Sequence, residues 1–208
     1  MQTMSIQTLI GLKRLSVAKQ RLMPQLSPAQ RRDLMLAMLT HVTAVARAAE
    51  LGPVALATSE PEGPALATSL GVAAISDGGL PWNEGLVHAL LSVEVPAAVL
   101  YLAGDLPLIT VSELLAIAEA APRRGVVVAR ARDLGTNALL VTPPRVLEPM
   151  FGHTRSSEAH QAASRELGLE CVVVDIPGLA LDVDTIEDAW DAGVVPRLTE
   201  TGPGRDRG

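Results

Sequence analysis

The chain has 208 residues, of which 48% are hydrophobic, and this length favours one core in a single domain. A net charge of -6 and only two tryptophans, one tyrosine and one phenylalanine argue against nucleic-acid binding, which needs basic surfaces and stacking platforms. No apolar run approaches the roughly 20 residues of a membrane span, and the N-terminus lacks a signal-peptide pattern. We expect a cytoplasmic protein without a membrane partner, one domain over residues 1–195 and a flexible tail over residues 196–208.

The basic residues are concentrated before the first acidic residue, Asp33. A short apolar segment over residues 9–12 predicts the end of a buried strand, and Lys13 follows it directly. Lys13, Lys19 and Arg21 could therefore surround a polyphosphate at the carboxyl edge of a sheet. A solvated basic loop is the alternative, because charged side chains usually face water.

A regular alternation of strands and helices follows. Ser27, Pro28 and Gln30 have the spacing of a capping box and predict the start of a helix that Gly52 ends. Strands are then predicted over residues 54–58, 72–75, 125–131 and 138–141, and helices over residues 64–70, 83–95, 111–121 and 156–168. This alternation predicts a mainly parallel sheet covered by helices on both faces, a three-layer α/β/α fold.

A further apolar run begins at Val99 and breaks sharply at Gly104, Asp105 and Pro107. In an open α/β sheet, ligands bind beyond the carboxyl ends of the strands, so Asp105 is well placed for chemistry. Thr110 has capping-box spacing ahead of the next helix, which leaves Asp105 without an obvious structural task. The alternative is that Asp105 only shapes the turn.

Three polar side chains lie at predicted element boundaries. Asn83 could cap the helix that it opens or contact a ligand. Thr136 lies at a strand entrance, where a turn offers backbone amides and a hydroxyl, and a simple turn is the equal alternative. Ser156 opens a helix whose N-terminus offers free N–H groups to a phosphate or carboxylate, although serines there more often serve as caps.

His153 and His160 lack metal-ligand spacing and are predicted to be surface or packing residues.

Residues 179–185 carry the most informative pattern for chemistry. Their apolar side chains are expected on one face of an extended segment, with Asp182 and Asp184 on the other face. Two residues of strand span about 6.6 Å, so both carboxylates could approach one Mg²⁺ or a bridged pair. Like charges this close repel one another unless a cation compensates them. Thr185 with Asp188 could cap the following helix, which leaves both aspartates free.

Together these motifs resemble the 2-phospholactate guanylyltransferases of coenzyme F-420 biosynthesis and their phosphoenolpyruvate-using bacterial relatives. The resemblance extends over nearly the whole chain and rests on the order and spacing of motifs that are weak alone. They are Leu-Lys-Arg-Leu at 12–15, Ala-Lys-Gln-Arg-Leu at 18–22, Gly-Asp-Leu-Pro-Leu at 104–108, Gly-Thr-Asn-Ala-Leu at 135–139 and Leu-Asp-Val-Asp-Thr at 181–185. The resemblance implies a Rossmann-like nucleotidyltransferase fold of the glycosyltransferase-A type.

The same resemblance implies transfer of GMP from GTP to the phosphate of phosphoenolpyruvate or 2-phospholactate, with Mg²⁺ as cofactor and release of pyrophosphate. By motif, the implied roles are metal binding for Asp105, Asp182 and Asp184, phosphate contacts for Lys13 and Lys19, acceptor contacts for Thr136, Gly152 and Ser156, and a nucleotide contact for Asn83. Among these residues, Lys13 and Asp105 are the predicted catalytic pair. A homo-oligomer stays open, because nothing in the sequence indicates the oligomeric state.

Two segments depart from the family's pattern. Its Phe-Gly-x-Gly-Ser appears as Phe-Gly-His-Thr-Arg-Ser at 151–156, which is one residue longer and lacks a glycine. Its Gly-Leu-Asn before the middle helix is replaced by Leu-Pro-Trp-Asn-Glu-Gly-Leu at 80–86. Phosphoenolpyruvate is the favoured acceptor, because the Ala- and Arg-rich composition resembles that of bacterial members. The alternatives are a nucleotidyltransferase for 3-phosphoglycerate, a molybdopterin or a sugar phosphate, and a noncatalytic nucleotide-binding protein.

Overall fold

The computed structural model describes residues 5–94, 96–152 and 155–195. In these ranges the strands are β1 (Ile6–Leu12), β2 (Val54–Thr58), β3 (Ala73–Ile75), β4 (Ala98–Leu102), β5 (Gly125–Arg130), β6 (Thr136–Thr142) and β7 (Glu170–Val174). The α-helices are α1 (Pro28–Ala48), α2 (Gly63–Leu70), α3 (Trp82–Leu91), α4 (Val111–Glu119), α5 (Ser156–Glu166), α6 (Pro177–Ala180) and α7 (Ile186–Asp191). Two short 3₁₀ helices, Leu15–Val17 and Gln20–Leu22, lie in the loop between β1 and α1.

The predicted mainly parallel sheet is confirmed, with the strand order β3-β2-β1-β4-β6-β5-β7. Within the described chain, β6 alone runs against its neighbours, β4 and β5. Residues 131–135 join β5 to β6, and so short a connection forms an antiparallel hairpin rather than a crossover. As a result β6 begins beside the carboxyl end of β4, where Leu102 pairs with Ala138.

Apolar side chains cover both faces of the sheet, which confirms the three-layer arrangement. Leu100 of β4 joins the core that α1 and α4 form on one face. Tyr101, the next residue, joins the core under α3 and α5 on the other face. Every residue of β4 is buried, as expected for a central strand whose successive side chains alternate between two covered faces.

The helix starts that the sequence predicted from capping boxes are confirmed. The Ser27 N–H donates to Gln30 Oε1 at 2.9 Å before α1, and the Thr185 N–H donates to Asp188 Oδ2 at 2.8 Å before α7. The prediction of Asn83 as a cap is wrong, because α3 begins one residue earlier, at Trp82. Pro81 holds the extended conformation at the cap position, and the chain turns into the helix directly after it.

The prediction that residues 179–185 form one extended segment is also wrong. The first part is the short helix α6, and residues 181–184 have no regular secondary structure. The alternation of burial persists, because Leu181 and Val183 are buried whereas the flanking aspartates are partly exposed. A hydrogen bond from the Val183 N–H to the Asp105 carbonyl oxygen, 3.3 Å long, fixes this segment against the loop after β4.

Some of the remaining predictions concern residues that the structure does not describe. Among the described residues, no helix combines the length and the apolar composition that crossing a membrane requires. The tail expected over residues 196–208 and the packing role expected for His153 lie outside the described residues. One domain over residues 1–195 stays a prediction.

Candidate active site

The carboxyl ends of β1 and β4 lie side by side and open onto a cavity of about 290 Å³. Parallel pairing of the two strands places the loops that follow them at the same sheet edge. The cavity is lined by Lys13 and Lys19 from the first loop, by Asp105 from the second, and by Asp184. Four of the residues singled out from the sequence therefore meet in one place.

Three carboxylates converge at this edge, and we call Asp105, Asp182 and Asp184 the acidic triad. Each offers an oxygen within 4.8 Å of the oxygens of the other two. The loop after β4 supplies the first aspartate, and the segment after α6 supplies the others. Carboxylate oxygens are the ligands that hard divalent cations prefer, so the triad could hold a metal ion.

Asp182 is the triad carboxylate whose pKa its surroundings shift most clearly. Burial, and next the charge of Asp105, raise the pKa of Asp182 to about 6. The Asn137 amide opposes this shift by donating to Asp182 Oδ1 at 3.1 Å. Asn137 also donates to the Leu179 carbonyl oxygen at 2.9 Å, which orients the amide toward the triad. Our sequence analysis missed this role, although Asn137 stands in the Gly-Thr-Asn motif beside Thr136.

Lys19 supplies positive charge to the triad from within the chain. Its side chain is 7% exposed, and its Nζ contacts Asp105 Oδ2 and lies 3.1 Å from Asp184 Oδ1. Burial lowers the pKa of Lys19, but the two carboxylates outweigh burial and leave that pKa above its usual value. Lys19 also holds a left-handed backbone with φ of 52°, which costs a non-glycine residue about 1 kcal/mol or more. The chain thus fixes this ammonium group among the carboxylates at some cost in backbone strain.

Arg21 contributes a weaker contact on the solvent side. Its Nη1 lies 3.1 Å from Asp184 Oδ2, and the Arg21 side chain is 74% exposed. An ion pair as open to water as this one contributes about 1 kcal/mol or less. Arg21 is therefore free to turn toward a ligand at little energetic cost.

Lys13 faces an aromatic side chain that our sequence analysis did not assign to the site. The Lys13 Nζ lies 4.9 Å from the centroid of the Trp82 ring, within cation–π range. The indole packs so closely on Gly11 that a Cβ at that position would lie 2.1 Å from Trp82 Cη2. Glycine at position 11 therefore makes room for the ring. The replacement of the family's usual residues at 80–83 was the signal that could have pointed to Trp82.

A second polar cluster, the hydroxyl cluster of Thr136, Ser156 and His160, lies between β6 and α5. The Ser156 hydroxyl donates to Thr136 Oγ1 at 3.2 Å, and His160 Nδ1 lies 3.0 Å from the same oxygen. The Met150 N–H donates to His160 Nε2 at 2.9 Å, so the ring proton resides on Nδ1. Burial lowers the pKa of His160 to about 4 and keeps the ring neutral. The prediction of His160 as a packing residue is confirmed, since it is fully buried.

Gly152 lies between the end of β6 and Ser156 of this cluster along the chain, and Asn83 of α3 contacts the residue before it. Asn83 Nδ2 donates to the Phe151 carbonyl oxygen at 3.1 Å, and Asn83 Oδ1 accepts from the Phe151 N–H at 2.8 Å. Gly152 follows with φ of 79°, a conformation that favours glycine. Both the nitrogen and the oxygen of the Asn83 amide thus hold the backbone of Phe151, just before Gly152.

The chain is similar to known enzymes over most of its length. A family model described as "Guanylyl transferase CofC like" matches residues 6–192. Phosphoenolpyruvate guanylyltransferase of Sphaerobacter thermophilus is 38% identical, over 90% of this chain and 92% of its own length. The enzyme of the same name from Chloroflexus aggregans is 35% identical, over 86% of this chain and 92% of its own length.

Solved structures agree with the predicted glycosyltransferase-A type of nucleotidyltransferase fold. A putative nucleotide-diphospho-sugar transferase from Desulfovibrio desulfuricans superposes with a TM-score of 0.73 at 16% identity, covering 89% of this chain and 84% of that one. A 4-diphosphocytidyl-2C-methyl-D-erythritol synthase from Anaerococcus prevotii gives a TM-score of 0.63 at 11% identity, covering 92% and 98%. Identities this low establish the shared fold, and the predicted fold class is confirmed.

Proposed function

We propose that this chain, which belongs to the CofC-like guanylyl transferase family, transfers GMP from GTP to the phosphate of phosphoenolpyruvate in coenzyme F-420 biosynthesis. The observation that carries this proposal is the cavity lined by Lys13, Lys19 and two carboxylates of the acidic triad, those of Asp105 and Asp184. Phosphoenolpyruvate is favoured as acceptor because relatives named for it are 32–38% identical over most of the chain. A cytoplasmic location and a homo-oligomeric state stay predictions.

The acidic triad would hold Mg²⁺ in this reaction. The fit rests on the donors, which are three carboxylates with oxygens within 4.8 Å of one another, the ligand type that Mg²⁺ prefers. Bound Mg²⁺ would neutralise charge on the triphosphate and on the departing pyrophosphate. With the triad neutralised, the ammonium group of Lys19 would be free to turn from Asp105 toward a phosphate.

Positioning and charge stabilisation carry the proposed chemistry. An oxygen of the acceptor phosphate attacks the α-phosphorus of GTP, and the bond from that phosphorus to the β-phosphate bridging oxygen breaks. The electron pair of the broken bond leaves with pyrophosphate. The attacking oxygen is already anionic near neutral pH, so no side chain has to remove a proton. Lys13 and Lys19 hold the phosphates in line, and Arg21 adds an outer contact.

The acceptor would bind where the start of α5, at Ser156, meets the start of β6, at Thr136. We assign its contacts to Thr136, Gly152 and Ser156, because Ser156 begins α5 and so lies at the positive end of the helix dipole, which favours an anion. Thr136 accepts hydrogen bonds from its neighbours, so its own hydroxyl proton can be donated to that anion. Asn83 supports this subsite through Phe151, and its direct nucleotide contact stays a prediction.

Mass spectrometry of the products tests the proposal directly. The purified protein would be incubated with GTP and Mg²⁺ plus phosphoenolpyruvate, 2-phospholactate or 3-phosphoglycerate in separate reactions. We expect a guanylylated product and pyrophosphate with phosphoenolpyruvate as the best acceptor. Preference for another acceptor would contradict the substrate, and the absence of pyrophosphate with all three would contradict the transferase.

A further inference from the structure

A second cavity of about 380 Å³ adjoins the first one. Four residues line both cavities, so the two are parts of one groove: Leu12, Lys13, Val17 and Trp82. The volume lies within the range of small-molecule sites. The proposed function places phosphates in the first cavity and leaves the second without an occupant.

The walls of the second cavity carry two carboxylates from loops at the same sheet edge. Glu60 follows β2, and its Oε2 accepts from the Leu15 N–H at 2.8 Å, which ties it to the loop after β1. Asp77 follows β3, and its Oδ1 accepts from the Ser59 hydroxyl and from the Gly79 N–H. Glu60 therefore has a task in holding a neighbouring loop.

Asp77 differs because only one of its oxygens is occupied. Among the described residues, no hydrogen bond reaches Asp77 Oδ2, whereas the two bonds to Oδ1 fix the orientation of the carboxylate. An ionised carboxylate accepts hydrogen bonds and donates none. The second cavity thus presents a fixed acceptor to any ligand that enters along the groove.

We propose that the second cavity binds the guanine base and that Asp77 reads it by accepting from its N1–H and N2 amino groups. This inference rests on the proposed function, which places the triphosphate of the same nucleotide in the first cavity. The Watson–Crick edge of guanine carries two adjacent N–H donors, which match an acceptor-only side chain. Adenine presents a ring-nitrogen lone pair at the N1 position, so its edge would face the carboxylate unfavourably. Sites built around such a hydrogen bond reject ligands that lack the donor.

The substitution Asp77→Asn tests this reading, because it keeps the shape and still lets Oδ1 accept from Ser59 and Gly79. Calorimetry would measure the affinities of the variant and the unmodified protein for GTP, xanthosine triphosphate and ATP. Xanthine carries a carbonyl oxygen where guanine has its N2 amino group, so an amide can donate where a carboxylate cannot. We expect GTP affinity to fall about tenfold to a hundredfold, as for hydrogen bonds to charged groups, and xanthosine triphosphate affinity to rise.

The matched control is Asp33→Asn, which removes the same charge from an exposed carboxylate that lines neither cavity. The control should keep the nucleotide preference of the unmodified protein.

If Asp77→Asn does not fold, Ser59→Ala replaces it. That change frees the Asp77 carboxylate to rotate and should lower the ratio of GTP affinity to xanthosine triphosphate affinity. An unchanged ratio in the folded variant overturns the assignment of Asp77.

Binding and turnover separate this inference from the proposed function. Tight GTP binding without release of pyrophosphate in the presence of any acceptor would overturn the transferase proposal, while the affinity ratio would still test Asp77. Pyrophosphate release with GTP and phosphoenolpyruvate, together with an unchanged ratio in Asp77→Asn, would uphold the reaction and overturn the guanine contact.

Discussion

The acidic triad and the hydroxyl cluster lie near the same sheet edge, but they differ in how far the chain balances their charges. The hydroxyl cluster carries no net charge, whereas the triad carries more negative charge than its neighbours compensate. Two carboxylates of the triad, those of Asp105 and Asp184, share the buried ammonium group of Lys19, and the pKa of the third, Asp182, is raised. The hydroxyl cluster is neutral, and its groups other than the Thr136 hydroxyl proton are paired with one another or with the Met150 N–H. A cluster whose charges are not balanced inside the chain is suited to bind a cation, whereas a paired neutral cluster is suited to hold a backbone in place.

The largest effect is expected from removing one charge of the triad. Asp105→Asn should lower pyrophosphate release about a thousandfold, because a preorganised electrostatic contact to the transition state is lost. The melting temperature should change little, since the lost ion pair with Lys19 is offset by weaker repulsion within the triad. Steady-state kinetics and thermal unfolding would measure the two effects, with Asp33→Asn as the control. A turnover rate within a few-fold of that of the unmodified protein would contradict a role of the triad in the reaction.

The hydroxyl cluster should respond to pH rather than to metal. The pKa of His160 is about 4 in the folded protein, against about 6.5 in the unfolded chain, so acid protonates the unfolded chain first. The resulting stability is present above pH 6.5 and is lost as the pH falls toward 4, by about 3 kcal/mol in total.

Denaturant unfolding at a series of pH values would measure that loss. His160→Gln should flatten the dependence of the free energy of unfolding between pH 6.5 and 4, because glutamine does not titrate. The exposed His88→Gln is the control and should retain the slope. A slope unchanged by His160→Gln would show that the ring is not held neutral by burial.

Lys13 differs from Lys19 because its ammonium group faces the cavity and not the triad. Lys13→Ala should lower kcat/KM for GTP about tenfold by removing a phosphate contact, and the protein should remain folded. Arg123→Ala removes an exposed positive charge elsewhere and serves as the control in the same assay. If kcat/KM for GTP is the same in both variants, Lys13 is a solvated loop residue without a phosphate contact.

The smallest effect is expected at Ser156, whose hydroxyl is already bonded to Thr136. Ser156→Ala should raise the KM for the acceptor a few-fold, roughly the loss of one neutral hydrogen bond, and leave the KM for GTP nearly unchanged. Ser157→Ala, also buried in the first turn of α5 but bonded to the Leu134 carbonyl oxygen, is the matched control. A larger change in the KM for GTP would place Ser156 at the nucleotide instead.

Local patterns in the sequence determined much of the fold. Ser27 with Gln30 and Thr185 with Asp188 marked helix starts, because a capping box joins residues three apart and needs no tertiary contact. The apolar run of β4 predicted a buried strand for a similar reason, since burial on both faces leaves no polar position. Asp105 could be singled out because it follows that strand.

Tertiary structure decided the features that depend on distant parts of the chain. Lys19 lies against Asp184, 165 residues away, and Asn83 holds Phe151, 68 residues away. The segment at 181–184 reads as a strand by its alternation, yet its Val183 bonds to the loop after β4 instead of joining the sheet. The sequence therefore determined the elements and the chemical groups that end them, because these follow from neighbours along the chain. Which of those groups meet was decided only by the packing of the sheet and its loops.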